Sequence, residues 1–178
     1  MTWKATVSVL GRVGLLMSNL AIVYYFEYVI TTGFPVAIAG QIKKDHPEKK
    51  DDFVLSNAFV LFNFCYQFGV FLSRSSLSFL KIKRVWILTL LQFLNFLFWV
   101  SNCFGMYCHN IYVYFVHMVF VGLMGGASFV NVIYLLKNST TLQKTEKELA
   151  LNLLSCFDDL GILLASITAL ILTLTVFS

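Results

Sequence analysis

Charge is the scarcest commodity in this sequence: Asp, Glu, Lys and Arg together make up 12% of the 178 residues, about half the ~25% of a soluble domain. So few charges cannot coat a water-soluble body of this size, which excludes an ordinary globular domain. Proline is almost missing, with 2 residues, so little interrupts long helices. No His-Glu-x-x-His, Gly-x-Ser-x-Gly or phosphate-binding loop occurs, which argues against an enzyme and leaves no catalytic residue to name. The four cysteines have no metal-ligand spacing, and neither a metal nor another cofactor is expected. The first apolar run reaches about residue 30 without a small-residue cleavage site, so it reads as a span and not as a signal peptide. The last five residues, Leu174-Thr175-Val176-Phe177-Ser178, hold no prenylation box.

What the chain has in abundance is apolar surface, 58% of residues including 18 Phe. Crossing ~30 Å of hydrocarbon takes about 20 such residues as helix. Five stretches qualify, at about 13–30, 53–73, 84–100, 111–136 and 149–177. The first reaches further, toward Ala39, if a break at Gly33 and Pro35 is passed. These runs are too continuous for the ten-residue alternation of a barrel. The expectation is an all-α polytopic membrane protein with about five transmembrane helices, forming a single transmembrane domain over 1–178 with the lipid bilayer as its first partner.

The net charge of +4 is no nucleic-acid footprint, because the basic residues sit in short loops between apolar runs. Nine of them (Lys4, Arg12, Arg74, Lys81, Lys83, Arg84, Lys137, Lys144, Lys147) fall on one side and four (Lys43, Lys44, Lys49, Lys50) on the other. That bias places the N-terminus in the cytosol and the C-terminus outside or in a lumen. The triplet Asn138-Ser139-Thr140 then lies on the cytosolic side, where it is not glycosylated. Cys103 and Cys108 share one short loop, a spacing compatible with a disulfide in an oxidising lumen and equally with two free thiols. Thr145 and Glu148 fit a capping box at the start of the last helix.

Polar residues inside the spans form stripes: Ser56, Asn63, Gln67 and Arg74 on the second; Gln92, Asn95 and Asn102 on the third; His117, Ser128 and Asn131 on the fourth; Asn152, Ser155, Asp159 and Ser166 on the fifth. Polar side chains avoid lipid, so the stripes suggest a shared hydrophilic interior; singly, each residue also fits interhelical hydrogen bonding. Asp158 and Asp159 lie about 15 Å past Glu148, near the midplane. They point about 100° apart, and the stripe selects Asp159 as the inward one. A carboxyl group at that depth suits a proton-coupled carrier; the alternative is a structural ion pair or a hydrogen-bonded acid. Glu27, set among Tyr24, Tyr25, Phe26 and Tyr28, reads as a substrate or proton contact or as an interfacial carboxylate. Arg74 is a snorkelling anchor or an anion contact, and His117 reads as a packing histidine. Gly122, Gly125 and Gly126 allow helices to approach closely.

Several stretches resemble the battenin (CLN3) family of membrane proteins. These are Tyr66-Gln67-Phe68-Gly69-Val70-Phe71-Leu72-Ser73-Arg74-Ser75-Ser76-Leu77, Gly122-Leu123-Met124-Gly125-Gly126-Ala127-Ser128-Phe129-Val130-Asn131, Asp158-Asp159-Leu160-Gly161-Ile162 and Tyr25-Phe26-Glu27-Tyr28. The resemblance implies a major-facilitator-like transporter fold of about eleven spans, of which this chain corresponds to the C-terminal half alone. It further implies a lysosomal or vacuolar membrane, and a link to efflux of small solutes (glycerophosphodiesters or basic amino acids), to lysosomal pH homeostasis and to membrane traffic. It places the family's aspartate on Asp158, whereas the polar stripe chooses Asp159. The pathway between two transporter halves is incomplete in one such chain, so a missing N-terminal half or a homodimer is an expected partner, together with a small-molecule solute and protons. Candidate pathway residues are Glu27, Asn63, Gln67, Arg74, Asn131, Asp158 and Asp159. The competing function is a non-transporting scaffold for vesicular traffic, in which Lys81, Lys83 and Lys144 carry the activity and the buried acids do not.

Overall fold

The computed structural model describes residues 3–49, 51–105 and 107–175. All its regular elements are helical: α1 Trp3–Asp45, α2 Phe53–Ser56, α3 Ala58–Ser75, α4 Trp86–Gly105, α5 Ile111–Lys137 and α6 Lys144–Thr175, with short 3-10 turns at Pro47–Lys49 and Ser76–Ser78. Four of these, α1 over Thr6–Asp45 and all of α4, α5 and α6, are long and apolar enough to cross a membrane. The remaining long helix, α3, has 18 residues and is diluted by Asn63, Gln67 and Arg74. The chain is an all-α polytopic membrane protein.

Helix boundaries differ from the sequence expectation in instructive places. α1 does not break at Gly33 and Pro35 but continues for 43 residues with Pro35 inside it, about 64 Å at 1.5 Å per residue. Such a helix outreaches the ~30 Å of hydrocarbon. Near the proline, the Thr31 and Thr32 hydroxyls both donate to the Tyr28 carbonyl, at 3.4 and 2.6 Å. Phe34 and Ile38 are buried in the core, so tertiary packing holds the helix across its missing donor. The second predicted span is divided at Asn57 into α2 and α3, because Asp52 caps a separate first turn by accepting from Val54 and Leu55 at 2.7 and 3.1 Å. The last helix starts before Thr145. Glu146, not Glu148, reaches back to the Gln143 amide at 2.8 Å, which is the carboxylate arm of a capping box set two residues upstream. The predicted end at Phe177, and Lys50, lie outside the described residues.

Contact register gives helix direction. Along α1 and α6, the Arg12 guanidinium pairs with Glu146, Tyr25 meets Thr168 at 3.2 Å and Gly33 faces Ala169, so the two run parallel. α4 also parallels α1, with Thr89 on Asn19 at 3.0 Å and Gln41 on the Cys103 carbonyl at 3.2 Å. α3 and α5 parallel each other and oppose the rest: Tyr66 of α3 meets Glu27 of α1, while Lys43 meets Ser56 at 3.2 Å. The start of α1, the α3–α4 connection and the α5–α6 loop therefore gather at one end. The α1–α2 and α4–α5 connections lie at the other, the same grouping that the basic residues give.

Packing is built on close backbone approach. Where α3 and α5 cross, Gly69 lies against the Val119 carbonyl and Gly122 against the Tyr66 carbonyl; lipid gives apolar surfaces no reason to associate, so small residues and dispersion must do it. α6 uses the same device on α1, with Gly161 against the Ala21 carbonyl and Ala165 and Ala169 buried beside it. Gly122 is a packing residue, as the sequence suggested; Gly69 and Gly161 join it. Gly122→Ala drives a methyl into the neighbouring backbone and is expected to cost about 1–3 kcal/mol in SDS-titration unfolding. Gly14→Ala, where a methyl meets nothing, is expected to leave stability unchanged or raise it by up to about 1 kcal/mol.

Candidate functional site

Two acids are buried where α1, α3, α5 and α6 meet. Glu27 is 2% exposed and Asp158 7%. The Tyr66 hydroxyl of α3 donates to Glu27 Oε1, while Glu27 Oε2 has no partner. The Glu27 carboxyl lies against Gly125 of α5, in space that any side chain there would fill. Asp158 Oδ1 is also buried without a partner. Tyr24 and Tyr28 lie within one turn of Glu27 on α1. Arg74 lies over the Phe129 ring, 4.7 Å from its centroid, and Phe129 stacks on Tyr24 at 6.4 Å. The arrangement is two carboxyl groups, one guanidinium and three phenols on four helices, with two acid oxygens held from water and left unpaired. Such oxygens can accept a proton or a donor group from a ligand.

The other candidates fall in different places. Asp159 is exposed and Asp158 buried, the reverse of the choice made by the polar stripe. The reason is that α6 seats Leu154, Asp158, Gly161, Ala165 and Ala169 on α1, leaving Asn152, Ser155, Asp159 and Ser166 on its open side. Gln67 and Arg74 are exposed on α3, one residue on from Tyr66 and Ser73, which face the bundle. Asn63 is half-buried and donates to the Phe59 carbonyl at 2.9 Å. Asn131 is consumed locally: its Oδ1 accepts from the Ile82 amide at 2.6 Å and its Nδ2 donates to the Ala127 carbonyl at 2.8 Å.

The four stripes do not converge on one interior. Those of α4 and α5 are turned into the bundle and engage each other, as His117 Nδ1 donates to Asn95 Oδ1 at 3.0 Å and the Tyr114 hydroxyl lies 3.1 Å from Asn102 Oδ1. His117 also stacks on Phe98 at 3.7 Å, a packing role. Gln92 is fully buried with neither amide atom partnered. A cleft of about 680 Å³ opens at the far end, lined by Ile42, His46, Leu55, Cys108, His109 and Tyr112 among others, away from the buried acids. Cys103 and Cys108 are free thiols, and among the described residues no group of three or more His, Cys, Asp or Glu side chains could hold a metal ion.

Sequence reasoning missed Tyr66 and the role of Gly125. Tyr66 adjoins Gln67 in the stripe, but a tyrosine in a Phe-rich run gives no polar signal. The geometry sets opposite expectations for two substitutions. Tyr66→Phe leaves a buried carboxyl oxygen without its donor and is expected to cost about 1–3 kcal/mol in SDS-titration unfolding. Asp158→Leu, of similar shape, removes an unpaired buried oxygen and is expected to leave stability unchanged or raise it by about 1–3 kcal/mol.

The family model described as CLN3 protein matches residues 2–178. Among curated proteins, a battenin of Dictyostelium discoideum is 41% identical over 154 residues, covering 86% of this chain and 35% of that protein. A Protein BTN1 of Yarrowia lipolytica is 33% identical, with 86% and 37% covered, and a battenin of Canis lupus familiaris is 33% identical, with 85% and 32% covered. The chain thus spans about a third of the length of these relatives. No solved structure gave a significant match. With its glycine-rich α5, its buried Glu27 and a match running from residue 2 to residue 178, this membrane chain belongs to the CLN3 (battenin) family.

Proposed function

We propose that the chain forms one wall of a solute pathway in a lysosomal or vacuolar membrane, with its N-terminus cytosolic and its C-terminus lumenal. The pathway serves efflux of small solutes, glycerophosphodiesters or basic amino acids, and through proton movement the pH balance of the organelle. The observation that carries this reading is the pair of buried acids with unpaired oxygens, Glu27 and Asp158; Gln67 and Arg74 on α3 and Asp159 on α6 are exposed polar residues of the helices that hold or adjoin them. A soluble-type core gains nothing from two unpaired carboxyl oxygens, and a lipid-facing surface gains nothing from a charged stripe. Both fit a face turned toward a wet passage.

In this reading Glu27 and Asp158 exchange protons, Arg74 attracts the anionic part of a solute, and Gln67, Asn63 and Asp159 line the passage. Asn131 acts one step back, by holding the α3–α4 connection. The opposite wall comes from the part of the longer relatives that this chain does not span, or from a second copy.

The test is metabolite profiling of purified organelles from cells carrying wild type, Glu27→Gln, Asp158→Asn or no protein. Both variants are expected to accumulate the same small anionic or basic solutes as the null cells, by several-fold over wild type. An unchanged solute profile in the null cells would remove the transport reading. Normal profiles in the acid variants, with loss of function on Lys81→Gln and Lys144→Gln, would point to the scaffold instead.

A further inference from the structure

The connection between α3 and α4 has a composition that the proposed pathway does not use. After the turn at Ser76–Ser78 the chain runs irregularly to Trp86, the first residue of α4. Its large apolar side chains are turned outward: Phe79 is 92% exposed, Leu80 55% and Trp86 54%. Lys81, Lys83 and Arg84 are exposed among them, and the segment contains no acid. A phenylalanine, a leucine and a tryptophan so exposed in eight residues are unfavourable in bulk water. They sit at the start of α4, a helix long and apolar enough to cross a membrane, which puts them at the headgroup level of the bilayer, where aromatic rings and basic side chains are both favoured.

The segment is also held in place. Its Ile82 amide donates to the buried Asn131 at 2.6 Å, Val85 is buried in the core cluster with Val9, Leu136 and Leu142, and Lys81 Nζ lies 5.3 Å from the centroid of the Tyr134 ring. With Ile82 and Val85 fixed inward, the remaining side chains project outward as a set. The neighbouring charges at this end are Lys4, Arg12, Arg74, Lys137, Lys144, Lys147, Glu146 and Glu148. Glu146 is taken by Arg12, and among the described residues no ion pair includes Lys81, Lys83 or Arg84. Among the described residues no carboxylate pairs with the positive charge of the segment.

We propose that the segment Phe79–Trp86 is a binding site for anionic phospholipid headgroups of the leaflet that surrounds it. Phe79, Leu80 and Trp86 enter the boundary between headgroups and acyl chains, and Lys81, Lys83 and Arg84 bind the phosphate and carboxylate groups of the lipid. Charge complementarity selects the occupant: a surface of three cations without an ion-pair partner among the described residues, flanked by apolar anchors, fits an anionic lipid, whose chains meet the anchors while its headgroup meets the cations. Each basic residue near such a surface gives roughly a fivefold preference for anionic lipid.

The experiment uses the whole chain in phosphatidylcholine vesicles that contain spin-labelled phosphatidylserine or spin-labelled phosphatidylcholine, and compares the motionally restricted fraction of each by electron paramagnetic resonance. At low salt, phosphatidylserine is expected to be preferred by roughly fivefold or more. The preference is expected to fall toward unity at high salt and in K81Q/K83Q/R84Q, with the total number of restricted lipids unchanged as evidence of an intact fold. K43Q/K44Q at the opposite end is expected to keep it. Equal association of the two lipids with wild type, or a preference that survives K81Q/K83Q/R84Q, would overturn the proposal. So would loss of the preference in K43Q/K44Q.

Discussion

A carboxyl group inside hydrocarbon has to find its hydrogen bonds in protein, and Glu27 finds one at the point where three helices touch. α1 supplies the acid, α3 the Tyr66 hydroxyl, and α5 the bare backbone at Gly125 that leaves room for it. Replacing any of the three disturbs the same few cubic ångströms. The glycine crossing of α3 and α5 is what brings Tyr66 and Gly125 to one acid, so the packing motif and the polar site are a single piece of architecture. Lipid gives neither water nor a hydrophobic force to compensate for a poor fit.

The same constraint explains which polar residues are structural and which are not. On α4 and α5, Asn95 with His117 and Asn102 with Tyr114 engage each other across the interface. Asn131 pins the connection that carries Phe79 and Lys81. Asp158 and the second oxygen of Glu27 have no such partner. Proteins tolerate stored cost of this kind chiefly where it is used. In the proposed pathway the unpaired oxygens exchange protons, and the exposed polar stripe on α6 and the guanidinium over Phe129 face the passage.

Much of this was legible in the sequence. Hydropathy announced the class, the basic residues grouped the connections by end, and the glycines of α5 were recognised as contact residues. The ends of helices were less legible, because Pro35 is overridden by the packing of Phe34 and Ile38, and because Asp52 caps a turn that apolar periodicity cannot detect. The sequence left Asp158 and Asp159 both open, for a deeper reason. A polar stripe shows which residues share a face, but the direction of that face depends on which neighbours the helix has. α6 packs on α1 through small residues, so its polar face is turned to the open side. Tyr66 was hidden for a related reason: an aromatic residue in an aromatic run declares its hydroxyl only once its partner is placed.

The proposed pathway requires the open side of α6 to face water within the membrane, and cysteine accessibility along that helix measures this most directly. In a background free of native cysteines, single substitutions Asn152→Cys, Ser155→Cys, Asp159→Cys and Ser166→Cys would be treated in membranes with a small charged thiosulfonate. Leu164→Cys and Ile171→Cys, on the far shoulder of the helix, would be treated in the same way. The account predicts rapid modification of the first four and protection of the last two. Protection of all six, or equal modification of all, would contradict it.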